Sequence, residues 1–281
     1  MINAKLENII KLALAEDIGE GDITTSAVVN DKLMGRGEFL IKQEGIIAGF
    51  EVLEYLFNIF DPSLKLFKNA NDGDKVLPEQ VVAIVEGRAS SILTVERTAL
   101  NFLQRMSGIA TMALEFSRKI KHTKAKILDT RKTSPGLRYI DKMAVKIGGC
   151  DNHRSGLYDM FLIKDNHIAA AGSITKAVEG CKEFQKRRSS AFKIEVETTS
   201  LDEVKEALGC GVDFILLDNF NIEEMEKAVV LIGGKCKIEA SGGIDLTTIK
   251  QIAETGVDYI SIGALTHSVK ALDISLEITT L

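Results

Sequence analysis

The chain has 281 residues, 45% of them apolar and 27% charged, and a net charge of −5. This is the profile of a soluble globular protein with room for one large or two ordinary domains. The acidic balance argues against a nucleic-acid binder, which carries a basic face. The four cysteines, Cys150, Cys181, Cys210 and Cys236, contain no CxxC pair. They match neither a zinc site nor a compact disulfide framework, so reduced thiols and a cytoplasmic location are expected.

The N-terminal segment MINAKLENIIKLALAED has scattered charges and no small-residue cleavage site, and is not read as a signal peptide. Its Leu6, Ile9, Ile10, Ala13 and Leu14 recur at helical spacing. No uncharged run approaches the roughly 18 residues that span a membrane, so no membrane partner is expected. Strand-like pieces at 37–42 and 81–86, a helical pattern over 51–60 and a DGD turn at 72–74 predict an α+β layer. Residues 90–121 read as a long helical region relieved at Ser107 and Gly108, where the domain boundary is placed.

Beyond that boundary the rhythm changes. Apolar strand candidates stand at 126–128, 160–163, 193–196, 214–217, 237–240 and 259–262, with helical segments at 173–184, 201–208, 222–231 and 246–254. A repeat of about 20 to 35 residues marks βα units with parallel strands. A polar cluster follows every strand in turn: Asp129 to Lys132, Lys164 to His167, Glu197, Asp218 with Asn219, Ser241 to Gly243, and Gly263 to His267. Six such clusters meet at one mouth only if the sheet curls, and barrels build their sites at the C-terminal ends of the strands. The expected architecture is α/β: a (β/α) barrel with fewer than eight regular strands, preceded by an N-terminal α+β sandwich domain. The domains are placed at 1–108 and 109–281, with the last residues able to pack back on the first domain. A doubly wound sheet is the alternative.

The stretch LDTRKTSPGLR at 128–138 opens a region in which seven Lys/Arg face five Asp, within a chain that is otherwise acidic. Locally gathered cations suit a small anion. Arg131 and Arg154 offer planar forks for carboxylate or phosphate, while Lys132 and Lys164 supply mobile point charges. For one cluster alone, solvated charges or ion pairs with Asp129 and Asp165 are the commoner outcome. Lys164, however, ends the apolar run MFLI and must carry its ammonium out of the core. His153 is by type more often structural, and beside Arg154 it becomes a candidate orienting donor. Glu197 and Asp218 could work as general acid and base, or hold sugar hydroxyls and Mg²⁺; the residues alone leave this open. Ser241, Gly242, Gly243, Gly263 and Ala264 follow the last two strands before helical segments, where backbone N–H groups can cradle phosphate.

Several long motifs resemble quinolinate phosphoribosyltransferase: EDIGEGDITT, ERTALNFLQRMSGIAT, DTRKTSPGLR, NHRSGLYDMFLIKDNH, IEVET, LLDNF, EASGGI and GVDYISIGALTHS. Cys150 departs from the Gly or Ala expected there. The resemblance implies an enzyme that joins quinolinate to 5-phosphoribosyl-1-pyrophosphate (PRPP). Nicotinate mononucleotide, pyrophosphate and CO₂ would be released, with Mg²⁺ as cofactor. It implies a homodimer or higher homo-oligomer with shared sites. It further implies that Arg131, His153, Arg154 and Lys164 surround the quinolinate carboxylates, with Arg97 reaching in from a neighbouring subunit. Lys132 would meet phosphate, Glu197 and Asp218 the ribose and Mg²⁺, and Ser241, Gly243, Gly263 and His267 the remaining phosphates. Lys164 is the candidate donor of a proton to the decarboxylated ring. A phosphoribosyltransferase-like relative encoded with molybdate transport would be expected to lack the lysine of KDNH, which this chain has. A Schiff-base aldolase, which also places a lysine at the end of a barrel strand, is the other alternative.

Overall fold

The computed structural model describes residues 4–189 and 191–281; Met1 to Asn3, the start of the N-terminal segment read above, lie outside them. The chain begins with α1 (Ala4–Ile18), α2 (Ile23–Val28), β1 (Met34–Ile41), β2 (Gly45–Ile46) and α3 (Phe50–Phe60). There follow β3 (Lys65–Lys68), β4 (Lys75–Val76), β5 (Val81–Arg88), α4 (Ala89–Ile120), β6 (Lys126–Leu128) and α5 (Arg138–Ile147). Next come β7 (Phe161–Ile163), α6 (Asp165–Ala171), α7 (Ile174–Arg188), β8 (Ile194–Thr198), α8 (Leu201–Gly209), β9 (Phe214–Asp218) and α9 (Ile222–Ile232). The chain ends with β10 (Lys237–Ser241), α10 (Ile249–Glu254), β11 (Tyr259–Ser261), α11 (Ala264–His267) and β12 (Ile274–Thr280). None of these helices is long and apolar enough to cross a membrane.

Two compact units form. The first gathers residues 1–114, 133–149 and 265–281, and the second residues 115–132 and 150–264. The first holds an antiparallel sheet of order β12-β1-β5-β3. Alternating burial along β1 turns Phe39 and Ile41 to the core, and Phe39 meets Phe57 of α3 at 6.5 Å between ring centroids. The DGD turn secures the start of α3, because Asp72 accepts from the amides of Gly49 and Phe50 at 2.7 and 3.1 Å and so caps the helix. Helix α4 runs unbroken through Ser107 and Gly108, where the domain boundary was placed. A Cβ on Gly108 would stand 2.1 Å from the Lys270 carbonyl, so this glycine serves close packing and not a helix end. The final strand β12 pairs antiparallel with β1, Leu276 opposite Phe39.

The second unit is a six-stranded parallel sheet of order β6-β11-β10-β9-β8-β7. Five strands follow in chain order, and the first lies beside the last, as closure demands. Across β9, ligand atoms of Glu195 on β8, Glu239 on β10 and His153 all lie within 4.8 Å of one another. Beyond β6, Leu128 forms a single parallel bridge with Asp151. The expected barrel with fewer than eight regular strands is therefore present.

Candidate functional site

Strand register decides which side chains meet. Leu162 pairs with Glu195, Glu197 with Leu216, and Leu216 with Glu239. Side chains alternate along a strand, so Leu216 and Asp218, Glu195 and Glu197, and Glu239 and Ser241 share one face. The opposite face carries Ile194, Val196, Ile215, Leu217, Ile238 and Ala240, all buried. Barrel interiors are ordinarily filled by branched apolar side chains. This one is polar, and a cavity of about 410 Å³ opens within it.

Arg131 and Lys132 line that cavity after β6, with His153 and Arg154 from the loop before β7 and Lys164 just past β7. Glu197, Asp218, Glu239, Ser241 and Ser261 complete its polar wall. Lys164 Nζ is paired with the Glu197 carboxylate. Arg154 Nη1 donates to the Met160 carbonyl at 3.1 Å, while its Nε is buried with no hydrogen-bond partner. Burial and then the charge of Arg131 depress the Arg154 guanidinium below its ordinary pKa. Two crowded guanidiniums, one with a buried donor to spare, form an arrangement that an anion completes.

Beneath the cations lies a buried acidic floor. Glu195 and Glu239 are 0% and 1% exposed, and His153 Nε2 stands 3.1 Å from Glu195 and 3.4 Å from Glu239. Ser261 Oγ is hydrogen-bonded to Glu239. The His153 amide donates to fully buried Asp129 at 2.8 Å, and Asn152 Nδ2 donates to the same carboxylate at 3.2 Å. Burial works against a His153 imidazolium, but the bonds to Glu195 and Glu239 overcome it and draw its pKa up to about 10. Burial, and then the charge of Glu239, push Glu195 upward. The Arg154 amide donates to His153 Nδ1 at 2.7 Å, which leaves Nε2 to carry the ring proton toward the two glutamates.

Of the residues expected from sequence, Arg131, Lys132, His153, Arg154, Lys164, Glu197, Asp218 and Ser241 line this one cavity. Gly242, Gly243, Gly263 and Ala264 follow β10 and β11 in the same unit without lining it, whereas Arg97 and His267 belong to the other unit. The glycine loop differs from expectation in two ways. The helix after it starts at Ile249, so Ser241 to Gly243 form a loop and not a helix N-terminus. Gly242, at φ +101°, is required by its neighbour, since a Cβ there would stand 2.1 Å from Asn219 Oδ1. Gly243 faces open space. Helix α6 starts at once after Lys164, where a loop was expected, and His167 Nδ1 accepts the Lys164 amide at 3.0 Å. Glu195, Glu239 and Ser261 were not singled out from sequence. Their signal was present: a glutamate inside IEVET and inside KIEAS, two residues before a named polar residue, is a carboxylate on the inner face.

Comparisons with known proteins agree on one family. Family models for the N-terminal and C-terminal domains of quinolinate phosphoribosyl transferase match residues 22–107 and 109–277. A quinolinate phosphoribosyltransferase [decarboxylating] of Nicotiana tabacum is 46% identical over 98% of this chain and 83% of its own. A probable nicotinate-nucleotide pyrophosphorylase [carboxylating] of Bacillus subtilis is 41% identical over 99% and 95%. Among solved structures, NadC from Streptococcus pyogenes superposes with a TM-score of 0.93 at 39% identity, covering 99% of this chain and 97% of its own.

Proposed function

The chain belongs to the quinolinate phosphoribosyltransferase family, and from that premise we propose that it transfers the phosphoribosyl group of PRPP to quinolinate with loss of CO₂. Nicotinate mononucleotide and pyrophosphate are the other products, and the reaction serves NAD biosynthesis. The observation that carries the reading is that Arg131 and Arg154 crowd together in one cavity that Lys164, Glu197 and Asp218 also line. Two forks and an ammonium answer a dicarboxylate, while the carboxylates answer the sugar.

In this reading Arg131, His153, Arg154 and Lys164 surround the quinolinate carboxylates, and Arg97 of a partner subunit completes the site in a homodimer. Arg97 is exposed on α4. Lys132 and Ser241 meet phosphate, with the backbone of Gly242, Gly243, Gly263 and Ala264 as further phosphate contacts. Glu197 and Asp218 bind the ribose. They also suit Mg²⁺, which favours hard oxygen donors, and Glu197 already holds a cation in the ammonium of Lys164. Bound Mg²⁺ would neutralise charge on the departing pyrophosphate. As C1 of the ribose becomes oxocarbenium-like, the same two carboxylates lie ready to stabilise it. The pyridine nitrogen attacks C1, and the ring, now cationic, accepts the electron pair of the C2–carboxylate bond as CO₂ leaves. A proton from Lys164 then fills C2. A cytoplasmic location is part of the proposal, supported by four cysteines of which none is in a disulfide.

Calorimetric titration with quinolinate and with nicotinate, which has one carboxylate fewer, tests the assignment. Leaving part of the cation set unpaired should weaken nicotinate by at least about 30-fold. Equal affinity for the two acids would remove the dicarboxylate site.

A further inference from the structure

Nothing in the mechanism above uses the glutamates beneath the cavity, although burying two carboxylates in one place is costly unless they are engaged. Glu195 and Glu239 converge from β8 and β10 on a single nitrogen, Nε2 of His153. The other ring nitrogen is also engaged, by the amide of the next residue, Arg154. The ring is thus a spacer between a buried acidic pair and the backbone that carries the Arg154 guanidinium. That guanidinium has little else to locate it: one bond from Nη1 to the Met160 carbonyl, repulsion from Arg131, and attraction to the charges of Glu195 and Asp159.

We propose that Glu195 and Glu239 are positioning residues for the anion site: by clamping Nε2–H of His153 they fix the ring whose Nδ1 holds the Arg154 amide, and so set where Arg154 meets substrate. The inference rests on the reading of Arg154 as a quinolinate ligand. It gives a role to residues that sequence left unnamed. Outer partners that orient a metal-binding histidine are worth about 10- to 100-fold when removed, and a loss of the same order is expected here. Ser261, bonded to Glu239, steadies the second carboxylate in turn. Because the clamp points at the cations and not at the ribose side, its loss should be selective.

The test uses the full chain with Glu195→Ala, Glu239→Ala, Glu195→Gln, Glu239→Gln and the double Gln substitution. Quinolinate and PRPP affinities are measured by calorimetry, and the His153 ring by NMR after ¹⁵N-histidine labelling. The Ala variants should lose about 10- to 100-fold in quinolinate affinity with PRPP affinity within about three-fold of wild type. Each single Gln variant, which still offers His153 an acceptor, should recover most of the loss. The Nε2–H resonance should move in every variant. Unchanged quinolinate affinity in the folded Ala variants, or equal losses for both ligands, would overturn the proposal. If the Ala chains fail to fold, the double Gln variant decides, with about a tenfold selective loss expected and no loss refuting the clamp. A wild-type chain that binds no quinolinate would instead sink the substrate reading. The His153 resonance, recorded without ligand, would still report whether the clamp exists.

Discussion

Replacing Arg154 with Ala separates a residue built for ligand from one built for stability. Its loss removes one charge-assisted bond, Nη1 to the Met160 carbonyl at 3.1 Å, worth about 1.5–3 kcal/mol. It also removes the buried Nε that lacks a partner, whose burial costs about 1–3 kcal/mol, and the repulsion from Arg131. These contributions nearly cancel, so unfolding free energy should stay within about 1.5 kcal/mol of wild type. Binding has no such offset. A carboxylate left unpaired in a desolvated site costs about 2–5 kcal/mol, or about 30- to several-thousand-fold in quinolinate affinity. Arg154→Lys should recover only part of this, because the fork is lost. Urea unfolding and calorimetric titration of the same preparations measure both quantities. A large fall in stability with quinolinate affinity unchanged would show that Arg154 is a structural residue and that the anion site lies elsewhere.

Glu197→Gln and Asp218→Asn should impair use of PRPP and Mg²⁺ while leaving quinolinate affinity within a few-fold; calorimetry showing that either abolishes quinolinate binding would overturn their assignment to the sugar. Arg97→Ala and Arg131→Ala chains should each be nearly inactive alone. Subunit exchange between them should restore about a quarter of wild-type activity, since half of randomly paired dimers are mixed and each has one intact site of two. Verified exchange without recovery would place Arg97 outside any shared site. Arg105 on α4 donates from Nε to fully buried Asp141 at 2.8 Å, so Arg105→Ala should cost about 3–5 kcal/mol in urea unfolding, with the carboxylate left uncompensated. Asp61 is buried, which alone would raise its pKa, but bonds from Ser91, Arg88 and Ser63 overcome this and hold it well below the usual carboxylate range. A lowered folded pKa contributes stability above the unfolded pKa and loses it as pH falls below about 4. The difference in unfolding free energy between wild type and Asp61→Asn should therefore shrink through that range.

Much of the barrel was legible because a polar cluster after each apolar strand is a local signal, and local signals survive in one sequence. The strand at 126–128 was read with its observed bounds, and the cations of LDTRKTSPGLR, with Lys164, Glu197 and Asp218, do line one cavity. The inner floor was missed because the strands were read as continuous apolar runs, as buried parallel strands usually are. The alternation of Ile194, Glu195, Val196 and Glu197 instead marks an apolar outer face and a polar inner one. The last residues were expected to be able to pack back on the first domain, but their pairing as β12 with β1 joins residues more than 230 apart, a register that no window of sequence contains. The packing role of Gly108 was hidden for a related reason: a glycine that admits another segment's backbone carries no mark of it until that segment, at Lys270, is in place.

Whether the chain performs the transfer is decided by following CO₂ released from quinolinate labelled in the carboxylate next to the ring nitrogen. Release should require PRPP and Mg²⁺ together and keep step with formation of nicotinate mononucleotide. Release that ignores PRPP, or none at all from folded protein supplied with all three, would contradict the assignment.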